Sequence, residues 1–427
     1  MAGKRIFLDP IHHDIVLDSN NRAENLILKL IDTPEFQRLR RVHQFGISNL
    51  TFLGSEHSRF THSVGVMHIA SRLYEQLAEK APGLSEFQPL IMASALLHDV
   101  GHGPYSHVTE KIVGYNHEDW SRRIITENTG ITETLKEFDK NLPEQVEAVL
   151  KKTFKPHYLS DIVSSQLDCD RFDYLLRDSY MSGTAYGLFA LDRILASLEI
   201  DEPNDRLVVS GEKAQTAVEH YLFARYSMYA SVYFHKKNLA ARAQLGLLVK
   251  RARVLEGKVC FMDEPMRKWL MNEPLDVQEY LRLDDVALTY HIKRWMDDKD
   301  PILSNLASRL INRKLFKAIR LPVKTAEEAE GIKKRAAAIL KQSRFDPEFY
   351  LTTDSTGIRP YELYHPDNDN PQSNIMLRTA NGQIKELSSL SPTVHALVKG
   401  QFASFWLIYP AEAAGELSEI LEPVPVA

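Results

Sequence analysis

The chain has 427 residues, with 52 Lys and Arg residues against 57 Asp and Glu residues, which leaves a formal net charge of −5. Hydrophobic residues make up 44% and charged residues 26% of the sequence, a composition that excludes disorder as the main state. The slightly acidic balance argues against a protein that coats nucleic acid. Only two cysteines, no apolar signal segment and no run of ~20 apolar residues predict a cytoplasmic protein without membrane contact.

The first 45 residues predict two short strands followed by two helices. Apolar runs at 6–8 and 15–17 flank a polar turn, and a helical pattern starts near Glu24. Pro34 suits the first turn of the next helix, in which apolar residues recur at helical spacing as far as Phe45. Eight further helices are expected before residue 200, at 62–80, 88–99, 105–113, 117–128, 143–153, 158–167, 170–180 and 190–198.

In the second half of the chain, the sequence pattern changes near residue 318 from mainly helical to mixed helical and β-like. A strand pair near 196–210 precedes a long helical region at 212–256, and more helices fill 262–315. Later elements are a helix at 325–341 and β-like runs at 348–353, 374–379 and 402–409. The predicted fold is mainly α with small β elements: a helical body at 1–315, followed by a smaller α+β unit at 316–427 with an interface or regulatory role.

Histidine is concentrated in the first part of the chain, and one His-Asp pair occupies a special position. His98 and Asp99 end an apolar run and precede Gly101, so an imidazole and a carboxylate lie together at a helix end. Such a pair on its own is usually an ion pair at a helix end. His62 at the start of an earlier helix and Asp170 at the start of a later one add two further ligands. Such N and O donors suit a divalent ion such as Mn, Fe, Ni, Zn or Mg.

Together with their flanking motifs, these residues resemble the HD-domain metal phosphohydrolase superfamily. Within it the chain resembles the deoxynucleoside triphosphate (dNTP) triphosphohydrolases, which include a vertebrate enzyme that joins a sterile-alpha-motif domain to an HD domain. The matching motifs, in chain order, are Asp32 to Arg40, His43 to Gly46, Arg59 to Ser63, His98 to His107 and Asp168 to Asp178. The resemblance is dense over about 4–240, implies an HD core at about 50–180, and implies cleavage of a dNTP to a deoxynucleoside and inorganic triphosphate.

The resemblance also implies roles for the residues nearest the reaction. The implied metal ligands are His62, His98, Asp99 and Asp170. The implied catalytic residues around the α-phosphate are His102, His107, Glu110 and His117. His107 lies three residues before Glu110, so on a helix both share a face and the carboxylate can charge the imidazole. This favours His107 as general acid toward the leaving 5′ oxygen.

Substrate contacts are expected from three segments. Arg225, Tyr229, Tyr233 and Lys236 are spaced as one helical stripe, which an amphipathic surface would explain as well. The resemblance assigns phosphate, sugar or base contacts to Arg59, Arg171, Tyr174, Asp178, Arg225, Tyr233, His235 and Lys236. It assigns the sugar 3′-hydroxyl to Gln44. Phe45, where the vertebrate enzyme has Leu, would crowd a ribose 2′-hydroxyl, so dNTPs are expected to be preferred over NTPs.

A second nucleotide site is expected at a subunit interface. The resemblance places a regulatory nucleotide, GTP or a dNTP, at Arg5, Asp32, Gln37 and Arg40 in a homo-oligomer, with a tetramer favoured. A helix cap at Asp32 and a solvated basic face explain the same residues without any ligand. Leu8 replaces a family Asn near this pocket, which leaves the identity of the nucleotide open.

Two other functions are compatible with the sequence. An HD phosphohydrolase could act on a nucleoside monophosphate or an alarmone, although such substrates need fewer phosphate contacts than this chain offers. A non-catalytic nucleotide sensor could retain the fold, but the intact set of metal ligands and His107 favours an enzyme. Nucleic-acid binding receives little support from the net charge of −5.

Overall fold

The computed structural model describes residues 3–256, 258–259, 261–358, 374–399 and 402–421. Its strands are β1 (Lys4–Asp9), β2 (His13–Asp18), β3 (Leu198–Asp201), β4 (Arg206–Ser210), β5 (Lys317–Leu321), β6 (Thr352–Ile358), β7 (Met376–Arg378), β8 (Ile384–Glu386) and β9 (Phe402–Tyr409). Cys260, one of the two cysteines of the sequence, lies outside the described residues. Within those residues, none of the helices combines the length and the apolar character that crossing a bilayer requires.

Helices make up most of the chain, as predicted. They are α1 (Arg22–Ile31), α2 (Pro34–Arg38), α3 (Arg59–Lys80), α4 (Gln88–Leu97), α5 (His107–Thr109), α6 (His117–Thr126), α7 (Gly130–Phe138), α8 (Leu142–Leu150), α9 (Tyr158–Val163), α10 (Cys169–Met181), α11 (Leu191–Ser197), α12 (Glu212–Met228), α13 (Lys236–Val254), α14 (Glu264–Leu270), α15 (Val277–Tyr280), α16 (Asp285–Trp295), α17 (Pro301–Ile311), α18 (Ala326–Leu340), α19 (Pro347–Tyr350), α20 (Leu387–Leu390), α21 (Pro392–Lys399) and α22 (Ser418–Leu421). Two π-helical turns occupy Glu110–Gly114 and Tyr229–Tyr233.

The centre of the helical body is α4. Every side chain from Leu90 to Leu97 is buried, because this helix is apolar on all sides and packs against α1, α3 and α8. Capping residues begin several helices of this body. Asn21 accepts backbone N–H groups at the start of α1, and Asp168 does so at the start of α10. The cap at Asp168 fixes the start of α10, where Asp170 lies.

Three small sheets are added to the helices. β1 and β2 form an antiparallel hairpin in which Ile6 lies opposite Val16. The second sheet has the strand order β3-β4-β7-β8, and the third has the order β5-β9-β6. Because β7 pairs in parallel with β4, the segment after residue 316 shares a sheet with the helical body. The predicted boundary between 315 and 316 stays a prediction.

Three local predictions were wrong. The helix expected to continue to Phe45 ends earlier, because Val42 is extended and the backbone of 42–44 pairs with that of 57–59. The long helical region at 212–256 is interrupted after the second π turn, and a new helix begins at Lys236. The run at 348–353, expected to be β, begins as the last three residues of α19, since Asp346 caps a helical turn before β6 starts.

Candidate active site

The four predicted metal ligands converge from three helix ends. His62 lies in the first turn of α3, His98 and Asp99 follow α4, and Asp170 is the second residue of α10. The Nε2 atom of His62 lies 3.1 Å from Asp170 Oδ1 and 3.5 Å from Asp99 Oδ2. The Nε2 atom of His98 lies 3.4 Å from Asp99 Oδ2 and 3.6 Å from Asp170 Oδ1. Two imidazoles and two carboxylates therefore surround one point.

The hydrogen bonds of the two histidines leave their Nε2 atoms available. His62 donates from Nδ1 to Asp173 Oδ2 at 2.8 Å, and His98 donates from Nδ1 to the carbonyl oxygen of Ala95 at 2.8 Å. Both Nε2 atoms are buried and have no hydrogen-bond partner. A buried ring nitrogen without a hydrogen-bond partner is costly, and a metal ion bound between these nitrogens and the carboxylates of Asp99 and Asp170 would remove that cost. The donor set thus fits a divalent metal ion.

Electrostatics at these ligands favour bound positive charge. Burial opposes a charged His62, but Asp170 and Asp173 outweigh it and raise the pKa of His62 to about 9. Burial likewise disfavours the Asp170 carboxylate, yet His62 and His98 hold the pKa of Asp170 below its ordinary value. Burial also opposes ionisation of Asp99, but Arg59, His98 and His102 hold the pKa of Asp99 well below its ordinary value. The carboxylates of Asp99 and Asp170 are therefore ionised at neutral pH, so they are ready to bind a cation.

The turn after α4 is held in place by α6. Ser121 donates from Oγ to the carbonyl of His98 at 3.0 Å and accepts from the backbone N–H of Gly101 at 2.9 Å. A Cβ atom on Gly101 would lie 2.1 Å from the backbone nitrogen of Ser121, so glycine permits this close approach. The position of the His-Asp pair thus depends on α6 as well as on α4.

A second cluster, formed by His102, His107, Glu110 and His117, lies next to the metal ligands. Glu110 accepts from Nδ1 of His107 at 2.8 Å and from Nδ1 of His117 at 2.9 Å, so one carboxylate holds both imidazoles. The rings of His102 and His117 are stacked at 3.9 Å. The Nε2 atom of His102 lies 3.4 Å from Asp99 Oδ1, which joins this cluster to the metal ligands.

Burial, hydrogen bonds and the nearby Arg59 determine the charges of Glu110 and His102 in this cluster. Burial disfavours the Glu110 carboxylate, but the two imidazole hydrogen bonds outweigh it and hold the pKa of Glu110 below its ordinary value. Burial and the nearby Arg59 hold the pKa of His102 well below its ordinary value, so His102 is neutral. His98, Asp99, Asp170 and His117 line a common cleft, where a proton donor and a metal ion would face the same substrate.

Arg59, an expected phosphate contact, is buried beside the metal ligands. Its guanidinium contacts Asp99 through Nη1 and donates from Nε to Ser106 Oγ at 2.8 Å. Ser106 in turn donates to the backbone carbonyl of His43 at 2.8 Å. In this arrangement a positive charge is buried beside the metal ligands, is paired with Asp99 and is oriented by the loop at Ser106.

The expected sugar contacts form a separate wall. Asp178 accepts from His57 Nε2 at 2.8 Å and from the Tyr233 hydroxyl at 2.8 Å. The ring of Phe45 lies 5.3 Å from that of Tyr233, and Tyr174 lies 6.4 Å from Tyr233. The side-chain oxygen of Gln44 is buried without a hydrogen-bond partner, so it is free to accept a ligand hydroxyl.

Two further arginines lie near this wall, Arg225 buried and Arg171 half-buried. Arg171 donates to the backbone carbonyl of Ser165 at 2.5 Å and contacts Asp168, while Arg225 donates to Gln166 Oε1 at 3.0 Å. The Nε atoms of both arginines are buried without partners. Each guanidinium therefore retains unused hydrogen-bonding capacity, which is the chemistry that a polyphosphate needs.

The predicted stripe from Arg225 to Lys236 is interrupted. The π turn and the non-helical residues after it place Lys236 in a new helix, where it lines a cavity of about 630 Å³ with Lys317, Arg320 and Trp406. His235 accepts the backbone N–H of Lys237 at 3.3 Å and so caps α13. The prediction that these residues share one helical face was wrong, because the π turn and the non-helical residues after it interrupt the helical repeat.

The four residues expected at the activator site form two surface pairs. Arg5 contacts both carboxylate oxygens of Asp32, at 2.8 and 2.7 Å. Gln37 donates to the Ile31 carbonyl at 2.8 Å and accepts from Arg40 Nε at 2.8 Å. Leu8, in the same strand as Arg5, is 84% exposed.

Several residues of the site were missed in the sequence. Asp173 lies within the motif from Asp168 to Asp178. Its position three residues after Asp170 on a helix could have indicated that it belongs to the site. His57 pairs with Asp178, and His12 pairs with Asp173, 161 residues away in sequence. No local pattern predicts such long-range pairs.

The fold and the four converging ligands define a metal-dependent hydrolase of helical architecture. The HD domain family matches residues 59–178, and the HD associated region matches residues 189–416. HD domains bind divalent metals. The chain belongs to the HD-domain phosphohydrolases, which confirms the resemblance seen in its motifs.

Individual proteins agree with this family. The uncharacterized protein YwfO of Bacillus subtilis is 37% identical over 416 residues, covering 96% of this chain and 93% of that protein. A crystal structure of a phosphohydrolase from Bacteroides thetaiotaomicron is 28% identical, with a TM-score of 0.81, covering 95% of this chain and 99% of that one. The human deoxynucleoside triphosphate triphosphohydrolase SAMHD1 is 29% identical over 271 residues, covering 54% of this chain and 42% of that protein.

Proposed function

We propose that this protein hydrolyses dNTPs to a deoxynucleoside and inorganic triphosphate. The observation that carries the proposal is the shared cleft, which His98, Asp99 and Asp170 of the ligand set line together with His117, one of the two imidazoles held by Glu110. This pairing of a Lewis-acid site with proton donors suits the cleavage of a phosphate ester.

The residues of this chain divide the chemistry between them. A divalent ion, when held by the four ligands, would polarise a phosphoryl oxygen. Water would add to the α-phosphorus as the bond to the 5′ oxygen breaks, and His107 would give a proton to that leaving oxygen. Burial outweighs the 2.8 Å hydrogen bond to Glu110 and lowers the pKa of His107, which makes its imidazolium a stronger acid. His117 shares the same carboxylate, and neutral His102 would line the reacting phosphate from the buried side.

Selection of the substrate would depend on the arginines and on the sugar wall. Arg59, Arg171 and Arg225 would neutralise the triphosphate, with His235 and Lys236 as further contacts. Gln44 and Asp178 would bind the 3′-hydroxyl, while Tyr174, Tyr233 and Phe45 enclose the sugar. A ribose 2′-hydroxyl packed against Phe45 would be crowded and unpaired, so dNTPs are preferred over NTPs.

Regulation is proposed at the second site. A guanine nucleotide or a dNTP would bind the surface pairs of Arg5 with Asp32 and of Gln37 with Arg40 in a homo-tetramer. The kinetic signature is a lag or a sigmoidal rate with dNTP alone, which GTP relieves. A hyperbolic rate that added nucleotides do not change would contradict an activator site.

The proposal is tested by product analysis. The purified protein is incubated with Mn²⁺ or Mg²⁺ and each dNTP, with and without GTP, and products are separated by anion exchange. Deoxynucleoside plus intact triphosphate, absent with Asp99→Ala or after chelation, is the expected result. Release of phosphate or pyrophosphate would point to another HD phosphohydrolase reaction, and no turnover in any combination would favour a nucleotide sensor.

A further inference from the structure

The carboxylate of Asp173 connects three parts of the fold. It accepts from His62 Nδ1 at 2.8 Å, from His12 Nε2 at 2.7 Å, and from Arg177 Nε and Nη2 at 2.8 and 2.9 Å. His62 belongs to α3, Asp173 and Arg177 belong to α10, and His12 lies in the turn of the β1–β2 hairpin. Asp173 thus has every lone-pair direction occupied by a donor.

The hairpin turn is itself tied to this carboxylate. Asp9 accepts the backbone N–H groups of Ile11 and His12 through Oδ1, at 2.9 and 3.0 Å. Its other oxygen accepts from Arg177 Nη1 at 2.7 Å. Asp9, Arg177, Asp173 and His12 therefore form a closed ring of hydrogen bonds, so the His12 ring has little freedom to move.

α3 approaches the side chains of Asp173 and Arg177 closely. A Cβ atom on Gly65 would lie 2.0 Å from Asp173 Oδ1 and 2.5 Å from Arg177 Nη2, so glycine on α3 makes room for both side chains. The side chain of His12 is only 3% exposed, and its ring lies 5.4 Å from that of His68. A buried imidazole aimed at a carboxylate that holds a metal ligand points to a role beyond packing.

We infer that His12 is a positioning residue for the metal centre, acting through Asp173 on His62. The inference rests on the metal site of the proposed function. A histidine ligand needs its second nitrogen held by an acceptor, and the partners of that acceptor determine how rigidly the ring is oriented. By donating to Asp173, His12 keeps the carboxylate aligned with Nδ1 of His62, so that Nε2 of His62 faces the other three ligands.

The test compares two amide replacements of His12. In His12→Gln the side-chain nitrogen reaches about as far as Nε2 and can still donate to Asp173, whereas in His12→Asn it is too short. Chelator-stripped full-length proteins are titrated with Mn²⁺, and Asp99→Ala measures binding outside the site. We expect about tenfold weaker Mn²⁺ binding for His12→Asn and near wild-type binding for His12→Gln.

Controls separate positioning from folding. His13→Asn changes the exposed neighbour in the same turn, where the backbone φ of 59° suits Asn, and is expected to bind Mn²⁺ like the wild type. His12→Met fills the buried volume without a donor, and we expect it to bind Mn²⁺ as weakly as His12→Asn. If His12→Asn does not fold, His12→Met still tests the inference. Visible spectra of the Co²⁺-loaded proteins should change for His12→Asn and His12→Met only, because they report ligand geometry.

The outcomes of the Mn²⁺-binding test can be distinguished from those of the test for dNTP hydrolysis. Equal Mn²⁺ affinity in wild type and His12→Asn would overturn the inference, as would an equal loss in His12→Gln and His12→Asn. A wild-type protein that binds Mn²⁺ but leaves dNTPs intact would contradict the proposed substrate and leave the positioning role standing. A wild-type protein with no site for metal would overturn both.

Discussion

The hydroxyl of Tyr233 donates a 2.8 Å hydrogen bond to the carboxylate of Asp178. This contact crosses from the second π turn to α10 and fixes the wall that we assign to the deoxyribose. His57 donates to the other oxygen of the same carboxylate, so Asp178 is held from two sides. The orientation of Asp178 therefore depends on residues far from it in sequence.

Removing the Tyr233 hydroxyl should weaken catalysis through this wall. In Tyr233→Phe the Asp178 carboxylate loses one of its two donors. A hydrogen bond to a charged group contributes about 1.5 kcal/mol of free energy, so kcat/KM for dNTPs should fall about tenfold. Steady-state kinetics measure this effect, with Tyr290→Phe, at a half-exposed residue, as the matched control. Unchanged kcat/KM in Tyr233→Phe would show that Asp178 does not need this donor.

Replacing Glu110 should reduce the chemical step more than metal binding. In Glu110→Gln the shared acceptor of His107 and His117 loses its charge, so it no longer favours the protonated form of His107, and kcat should fall about 100-fold. Single-turnover rates and metal content are measured together, with Glu133→Gln on the exposed face of α7 as control. A loss of metal equal to the loss of rate would assign Glu110 to the metal site instead.

Shortening Phe45 should relax the discrimination between sugars. Phe45→Ala opens space beside Tyr233, so the ratio of dGTP to GTP turnover should fall about tenfold or more, largely through faster GTP hydrolysis. Phe52→Ala, a ring 6.4 Å away, serves as the control. If the wild type already cleaves GTP and dGTP at comparable rates, Phe45 excludes no hydroxyl.

Two glycine-to-alanine changes should have opposite effects on stability. At Gly65 the new methyl would collide with Asp173 and Arg177, and we expect a loss of about 3 kcal/mol together with weaker metal binding. At Gly331, inside α18, nothing lies near the added methyl, and we expect a gain of about 0.5–1 kcal/mol. Chemical denaturation of the metal-free proteins measures both. A tolerated Gly65→Ala would mean that α3 and α10 can separate without cost.

A pH-dependent contribution to stability is expected from His43. The hydrogen bond from its Nδ1 to Asp285 is the main reason that the pKa of His43 is raised above its ordinary value. Because the folded pKa is raised, the stabilisation is complete below pH ~6.5 and is lost as the pH rises through the raised value. His43→Asn keeps a donor toward Asp285 but does not titrate.

The free energy of unfolding of wild type minus that of His43→Asn should therefore decrease between pH 6 and pH 9. Urea denaturation at several pH values in this window measures the difference. A difference that stays constant across the window would show that the folded protein does not shift the titration of His43.

Local patterns were sufficient for most helices and for the family. The apolar run before His98 predicted a buried helix, and α4 occupies 88–97. The motifs around His62, His98 and Asp170 predicted ligands at helix ends. Two of those ends are marked in the sequence itself, by Gly101 after His98 and Asp99 and by the capping residue Asp168 before Asp170. Roles of individual residues toward substrate and activator remain predictions.

Where local preference and tertiary pairing disagreed, pairing prevailed. The helical spacing from Phe36 to Phe45 was overridden because residues 42–44 pair with 57–59 and bring Gln44 and Phe45 to the site. The π turn at Tyr229–Tyr233 changed the phase that would have aligned Arg225 with Lys236.

The sequence by itself determined the helical class, the ligand types and the order of the motifs, since these follow from residue chemistry and periodicity along the chain. Only the tertiary structure decided that Glu110 holds two histidines, that Asp178 is held by Tyr233 and His57, and that His12 reaches Asp173. The reason is physical: these hydrogen bonds join segments that share no local pattern. Their partners become known once helix packing has brought the segments together.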